Sequence, residues 1–345
     1  MPRETPPQPE RTRIEVQLAE RLGAHVELIG FTARAASRLY RYRTDGPEPM
    51  RLVVKVPLRR DAALPRDRPR RVPPTPADRK ATFEFDALRA AQRHFAAIGD
   101  ARFAAVEAVA LLEPMHALVM REVDGESLRA LVKRAALRLR ADRDLDEALE
   151  HAGAWLRAYH AITPPPGADD RLTTAEEVAV LAIRLGEYLQ DAPHGRGTVE
   201  LAERTASAAR RLTPGDLPLA VVHGDFAMRN VIVNGGRLAV LDMLGRWRAP
   251  AYEDVVTMTA ALDGIALGPR LGGRLPLPSA VRSGRGAFLR GYFGSSAAAP
   301  RPALAALNGL LTLDRLAALH ARGRLSSLTV GGLLRAAGHD LDDVA

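Results

Sequence analysis

Apolar and polar residues alternate between His25 and Pro57, which predicts strands: RLYRYRTDG closes on a turn at Asp45-Gly46, and RLVVKVP runs on until Pro57 stops it. Residues 58–80, LRRDAALPRDRPRRVPPTPADRK, are dense in arginine and proline and read as an irregular, mobile loop. From Ala81 to Ile98 the period becomes helical and stops at Gly99. Short strands are expected near Phe103–Leu112 and Ala117–Val123. After Asp124-Gly125 the pattern turns helical, over Leu128–Leu139, Leu145–Ile162, Ala175–Leu189, Val199–Leu212, Tyr252–Leu262 and Leu304–Ala321. One run interrupts it: VVHGDFAMRNVIVNGGRLAVLDM, from Val221 to Met243. Its VIV and RLAVLD segments flank NGG and predict a β-hairpin, with Asn234-Gly235 suited to the positive-φ turn positions.

The expected fold class is α+β. A β-rich N-terminal lobe with one helix spans residues 21–123, and a mainly helical C-terminal lobe containing the hairpin spans 124–345. Residues 1–20 open with MPRETPPQPERT, which is Pro-rich and charged, and read as a disordered tail.

Composition narrows the classes. With 345 residues, 47% of them hydrophobic, the chain can bury two cores. No run of 18 apolar residues occurs, so no membrane span is expected. The first twelve residues lack the apolar centre of a signal peptide. Cysteine is absent, which excludes disulfides and thiolate metal sites and fits a cytoplasmic setting. Net charge is +8, and the 49 lysines and arginines include only three lysines, Lys55, Lys80 and Lys133. The arginines are spread along the chain and aromatics make up 5%, so the clustered basic face with stacking rings that nucleic acid needs is not indicated.

The hairpin run carries the chemistry. Asp225 is followed five residues later by Asn230 and twelve residues after that by Asp242. A tight hairpin brings its outer ends together, so the loop before VIV and the carboxylate after AVL are expected to meet. Two carboxylates and an amide at one end call for a cation, and magnesium prefers such hard oxygens. The plainer reading is a solvated acidic turn. Lys55 sits within the apolar strand LVVKV and needs an anionic partner. Glu84 is the candidate: it heads the stripe Glu84, Leu88, Ala91, Phe95, while Asp86 points about 200° away. A snorkelling edge lysine and a surface salt bridge are the alternatives here.

HGDFAMRN resembles the H-R-D-x-x-x-x-N catalytic loop of protein kinases and is closer to the H-G-D-x-x-x-x-N form of the aminoglycoside phosphotransferases and choline-kinase-like small-molecule kinases. The resemblance spans about residues 25–260 and implies a two-lobed protein-kinase-like fold. It implies Asp225 as catalytic base, Asn230 and Asp242 as magnesium ligands, His223 as a brace of the loop and Asp254 as a structural aspartate. Lys55 and Glu84 would be the nucleotide-phosphate lysine and its helix partner, and the backbone of Arg121 and Val123 would meet a purine. The loop over the phosphates departs from the family: ELIGFTARAASRLYRY has Gly30 as its only glycine, leaving the amides of Ala35 to Ser37 and the Ser37 hydroxyl as candidate phosphate contacts. His160 also matches a family position and reads as a packing residue.

The implied activity is an ATP- and Mg2+-dependent phosphotransferase, with GTP the alternative donor, acting on a small-molecule hydroxyl. A sugar, a nucleoside, an aminoglycoside-like compound and a lipid-linked glycan are all candidates. From Val256 onward ten arginines face five side-chain acids, which disfavours a polycationic acceptor. Six acids between Glu176 and Glu203 argue the other way. A catalytically inactive kinase-fold protein that binds nucleotide or sugar is the alternative from a different class. A protein kinase is a third reading, disfavoured by the H-G-D form and the lack of an A-P-E segment after Asp242. Oligomeric state is left open.

Overall fold

The alternation over residues 26–57 is realised as three strands, β1 (Val26–Ala33), β2 (Ser37–Thr44) and β3 (Arg51–Pro57). The computed structural model describes residues 5–34, 36–45, 48–58, 68–71, 75–136, 142–165, 168–244, 247–266, 279–295 and 298–344. The chain divides into two compact units. The first comprises Met1–Ala62, Pro74–Asp124 and Ala239–Leu244, and the second comprises the rest.

In the first unit an antiparallel five-stranded sheet has the order β1-β2-β3-β6-β5, completed by β5 (Ala108–Leu112) and β6 (Ala117–Arg121); the short β4 (Phe103–Ala105) precedes them. Successive side chains in a strand point to opposite faces. One face, with Tyr40, Tyr42, Leu52 and Val54, packs against helix α1 (Gln8–Leu22) through Ile14 and Leu18, both fully buried. The other face packs against α2 (Ala77–Ile98), which ends on Gly99 in the left-handed conformation.

The expectation of a disordered tail over residues 1–20 is therefore corrected for Gln8 onward, while residues 1–4 lie outside the described residues. Ile14 and Leu18 are one turn apart, and Glu10 accepts hydrogen bonds from the Tyr40 hydroxyl and, at 2.7 Å, from Arg38. Burying the two aliphatic side chains contributes about 1.5–3 kcal/mol each, enough to order a helix that begins beside prolines. The expected single helix of this unit becomes two.

In the second unit β7 (Glu126–Ser127) leads into α3 (Leu128–Ala136) and α4 (Arg143–Tyr159). Then come β8 (Asp169–Asp170), α5 (Ala175–Leu189), α6 (Gly195–Arg210), β9 (Leu219–Val221), β10 (Val231–Asn234), β11 (Arg237–Val240), whose last two residues are counted with the first unit, and β12 (Trp247–Pro250). The chain finishes with α7 (Tyr252–Ala266), α8 (Ser279–Phe293), α9 (Arg301–His320) and α10 (Ser327–Asp342). Thr174 and Glu177 close a capping box at the start of α5, and Leu310, Leu313 and Leu316 of α9 fill a core with α5, α6 and α10. The β10–β11 turn places positive φ at Gly235 and Gly236, one position later than expected, so Asn234 ends the strand instead. No helix among the described residues is long and apolar enough to cross a membrane.

Helices α8 and α10 were not expected from the sequence pattern. Gly284, Gly286 and Gly291 lower the intrinsic helix propensity of α8. Its glycines serve packing instead: a Cβ on Gly291 would lie 1.9 Å from the Glu150 carbonyl of α4. Of the expected mobile loop over 58–80, residues 59–67 and 72–74 lie outside the described residues. Residues 68–71 are anchored: Arg68 donates to Asp314 at 3.2 Å, and Arg71, only 9% exposed, is ion-paired to the buried Glu253. The predicted turn residue Gly46 also lies outside the described residues.

Candidate active site

Lys55 stands on the α2 face of the first unit's sheet, between its cross-strand partners Leu39 and Leu118. The inward stripe of α2 is as the sequence pattern predicts: Leu88, Ala91 and Phe95 are buried, and so is Glu84 at 4% exposure, while Asp86 is exposed. Lys55 Nζ donates to both Glu84 carboxylate oxygens, at 2.6 and 2.8 Å, and to Asp242 Oδ1 at 2.5 Å. Burial alone would lower the Lys55 pKa; the two carboxylates outweigh it and raise it, so the ammonium stays charged. Asp242 follows β11 and has φ of 59°, a left-handed backbone that a short polar residue tolerates.

The remaining candidates of this unit lie at its strand ends. Ser37 is buried at the first position of β2, two residues before Leu39. The β1–β2 connection is only residues 34–36, closed by the Arg34 N–H donating to the Ser37 carbonyl at 2.8 Å. Ala35 lies outside the described residues. The Arg121 N–H is occupied by the Glu107 carbonyl at 2.9 Å, so of the two expected purine contacts Arg121 can offer only its carbonyl. Val123 follows in irregular backbone just before Gly125. Gly125 itself, in the second unit, has φ of 136°, and a Cβ there would lie 2.5 Å from the Val233 carbonyl of β10. Its requirement for glycine is this close approach.

The second unit holds the loop from His223 to Asn230. Asn230, 3% exposed, donates Nδ2 to the Asp225 carbonyl at 2.9 Å and to Asp225 Oδ2 at 3.1 Å, which turns its Oδ1 away from that carboxylate. Arg229 is ion-paired to the same Asp225 oxygen. His223 is fully buried, and its Nδ1 accepts the Asp225 N–H at 3.3 Å.

Asp254 fixes the start of this loop. It is 1% exposed and accepts the N–H of His223 at 2.6 Å and of Gly224 at 2.9 Å. His160 Nε2 bonds its Oδ2 at 3.1 Å, and His160 Nδ1 meets the Tyr292 hydroxyl at 2.8 Å. Burial alone would push the Asp254 carboxyl up; the hydrogen bond and charge of His160, then His223 and its N–H, outweigh that and hold it below the ordinary value. Tyr292, whose phenol pKa is raised by burial, is the α8 end of this chain of contacts.

His160 is thus more than a packing residue: it joins Tyr292 of α8 to the loop. Beneath the loop Phe226 is fully buried and stacks on Trp155 (ring centroids 5.8 Å apart) and Phe288 (6.3 Å). Tyr292 and Trp155 were not singled out from the sequence, because aromatic residues on helices carry no local sign of which loop they support.

Comparison with known proteins follows the same lines. The profile of the phosphotransferase enzyme family, APH, matches residues 27–276. No curated protein matches the sequence. Among solved structures, macrolide 2'-phosphotransferase MphH from Brachybacterium faecium aligns over 97% of this chain and 98% of its own, at 15% identity and a TM-score of 0.56. Spectinomycin phosphotransferase APH(9)-Ia, in complex with ADP and spectinomycin, aligns over 95% and 98% at 11% identity and a TM-score of 0.56. A glucosamine kinase in complex with glucosamine, ADP and inorganic phosphate aligns over 99% and 89% at 20% identity and a TM-score of 0.57. At these identities the likeness shows the fold, which is the two-lobed kinase-like α+β fold.

Proposed function

Because the chain belongs to the phosphotransferase enzyme family, we propose that it moves the γ-phosphate of ATP to a hydroxyl of a small molecule, with magnesium as cofactor. The observation that carries this reading is Lys55 Nζ held between Glu84 and Asp242, residues 29 and 187 positions away in sequence. A buried ammonium fixed by a helix carboxylate suits an anchor for nucleotide phosphates. The ADP in two similarly folded structures supports a nucleotide donor.

Roles follow residue by residue. Asp225 accepts the proton of the acceptor hydroxyl, whose oxygen bonds to the γ-phosphorus as the bond to the bridging oxygen breaks and ADP leaves. Asn230 and Arg229 orient the Asp225 carboxylate, and His223 and Asp254 hold the loop that carries it. The Arg121 carbonyl and Val123 backbone meet the purine, and Ser37 borders the phosphates. Magnesium fits the donor chemistry: the Asn230 Oδ1 and the Asp242 carboxylate are hard oxygens, and the Asn230 amide is already turned to present Oδ1. Among the described residues no group of three or more His, Asp or Glu forms a metal cage. One or two protein oxygens together with phosphate oxygens is the usual magnesium environment. When bound, the ion neutralises phosphate charge during transfer.

The acceptor proposed is a sugar, nucleoside or similar polyhydroxyl compound. The experiment is phosphate transfer across a panel of such compounds, paired with ATP-induced thermal shift. Asp225→Ala should lose turnover and keep the ATP shift; normal turnover in that variant would overturn the reading. The short β1–β2 connection favours a second reading, a kinase-fold binding protein, which predicts an ATP shift with no turnover on any hydroxyl compound.

A further inference from the structure

A cavity of about 490 Å3 opens in the second unit, lined by Arg70 and Arg71, by Arg171 just after β8, and by Arg184 on α5. We propose that it binds an anionic group, carboxylate or phosphate, of the acceptor. The assignment to the acceptor rests on the phosphotransfer reading above; the anion site itself stands on the cavity.

The charge balance points to an anion. Three acids also line the cavity, and each is already engaged. Asp170 is held by both ends of the Arg248 fork, at 2.7 and 2.5 Å, and Glu176 by Arg210 at 3.0 and 3.2 Å. Glu177 accepts the N–H groups of Thr173 and Thr174 in the α5 cap. Three of the four arginines, Arg71, Arg171 and Arg184, have capacity to spare. The Nε–H groups of Arg71 and Arg171 are buried and without a hydrogen-bond partner among the described residues. Arg184 is exposed and makes no ion pair among the described residues. Buried donors without acceptors are costly, and a planar guanidinium suits carboxylate and phosphate oxygens. Leu172, Val180 and Leu181 supply an apolar wall, so the ligand is an organic anion with a carbon frame to cover it.

The cavity is tied to the catalytic loop by two routes. β8 pairs with β12 and β12 with β9, which runs directly into His223, so the cavity wall lies two strand spacings, about 10 Å, from that strand. Arg71 is ion-paired to Glu253, the residue before Asp254, which holds the loop's N–H groups. The acids between Glu176 and Glu203 that favoured a cationic acceptor are thus partly neutralised: the two that line the cavity are occupied.

The test begins with inorganic phosphate, titrated calorimetrically into the full chain saturated with a non-hydrolysable ATP analogue, so that the nucleotide site is filled. Binding should persist in Asp225→Ala and weaken at least tenfold in Arg184→Glu and Arg171→Gln. Arg184 is exposed and makes no ion pair among the described residues, so its replacement leaves the fold intact. Absence of binding, or equal binding in both arginine variants, overturns the anion site. Turnover is then compared for sugar acids, sugar phosphates and neutral sugars. Preference for one anionic class, lost as a rise in KM in Arg184→Glu, supports the assignment and identifies the group; equal kcat/KM for neutral sugars overturns it. Loss of all turnover with phosphate binding intact would count against the phosphotransfer reading alone.

Discussion

Arg229 is ion-paired with Asp225, four residues before it in the loop that leads into β10. The Asn230 amide donates to the same Asp225 oxygen, so two donors fix Oδ2 and leave Oδ1 for the acceptor hydroxyl proposed above. Both charged side chains are more than a third exposed, so the pair adds less than about 1 kcal/mol to stability. Its effect is on orientation. Arg229→Ala is expected to lower kcat about tenfold, equivalent to about 1.4 kcal/mol, with ATP affinity and melting temperature nearly unchanged. Arg229→Lys should recover part of the rate. Steady-state kinetics with calorimetric ATP binding checks this, and an unchanged kcat in Arg229→Ala would remove the orienting role.

Asp254 is the buried anchor of the same loop. Asp254→Asn would set an amide N–H against one of the three donors that now converge there, leaving a buried group unpaired. The expected loss is about 3–5 kcal/mol, as for one partner removed from a buried charged network. His160→Gln, which can still donate, should lose about 1–2 kcal/mol. Because the folded pKa of Asp254 lies below its ordinary 3.8, its stabilisation is present above about pH 4 and is lost as pH falls further. Denaturant unfolding at pH 7 and pH 3 measures both effects. Equal stability of Asp254→Asn and wild type at pH 7 would rule out the anchoring role.

Helix α1 makes a third prediction. Ile14 and Leu18 are fully buried against Tyr40, Tyr42 and Leu52, so Leu18→Ala should cost about 2–5 kcal/mol through lost burial and the cavity left behind. Val16, on the exposed side of the same helix, should tolerate alanine within about 0.5 kcal/mol. Thermal unfolding of the two variants is the measurement. Equal melting temperatures would return the segment to a tail.

What could be read in the sequence and what could not divide along a physical line. Lys55 and Glu84 were legible because each breaks a local pattern: a lysine among strand valines, and one acid on an apolar helix stripe. The boundaries of α5 agree with the sequence reading, Ala175–Leu189, because its capping box and its period coincide. Helix α1 was hidden because the few apolar residues of a charged segment, Ile14 and Leu18 above all, acquire meaning only from a sheet that follows them. Helix α8 was hidden because its glycines depress helix propensity while permitting contact with α4. The same limit applies to Arg71, whose partner Glu253 lies 182 residues away, and to His160, whose bond to Asp254 spans 94. Ion pairs at such separations leave no periodic trace.

Asp263 on α7 gives a pH dependence of opposite sign to that of Asp254. Burial pushes its carboxyl up to about 6, Arg285 at 3.8 Å pulling it down only in part and Asp340 adding to the rise. Its Oδ1 is buried without a hydrogen bond among the described residues. A folded pKa above the unfolded value means the folded state holds the proton longer. Stability contributed at this site therefore falls as pH rises from about 4 to about 6 and is level above that. The full shift corresponds to about 3 kcal/mol, an upper bound because Arg285 can follow the carboxylate. Asp263→Asn removes the charge and keeps the shape, so it should raise stability by about 1–3 kcal/mol at pH 7.5 and by almost nothing at pH 4. Melting temperatures of wild type and variant across this range test it. A variant that is less stable than wild type at pH 7.5 would mean that the Arg285 contact outweighs the burial of the charge.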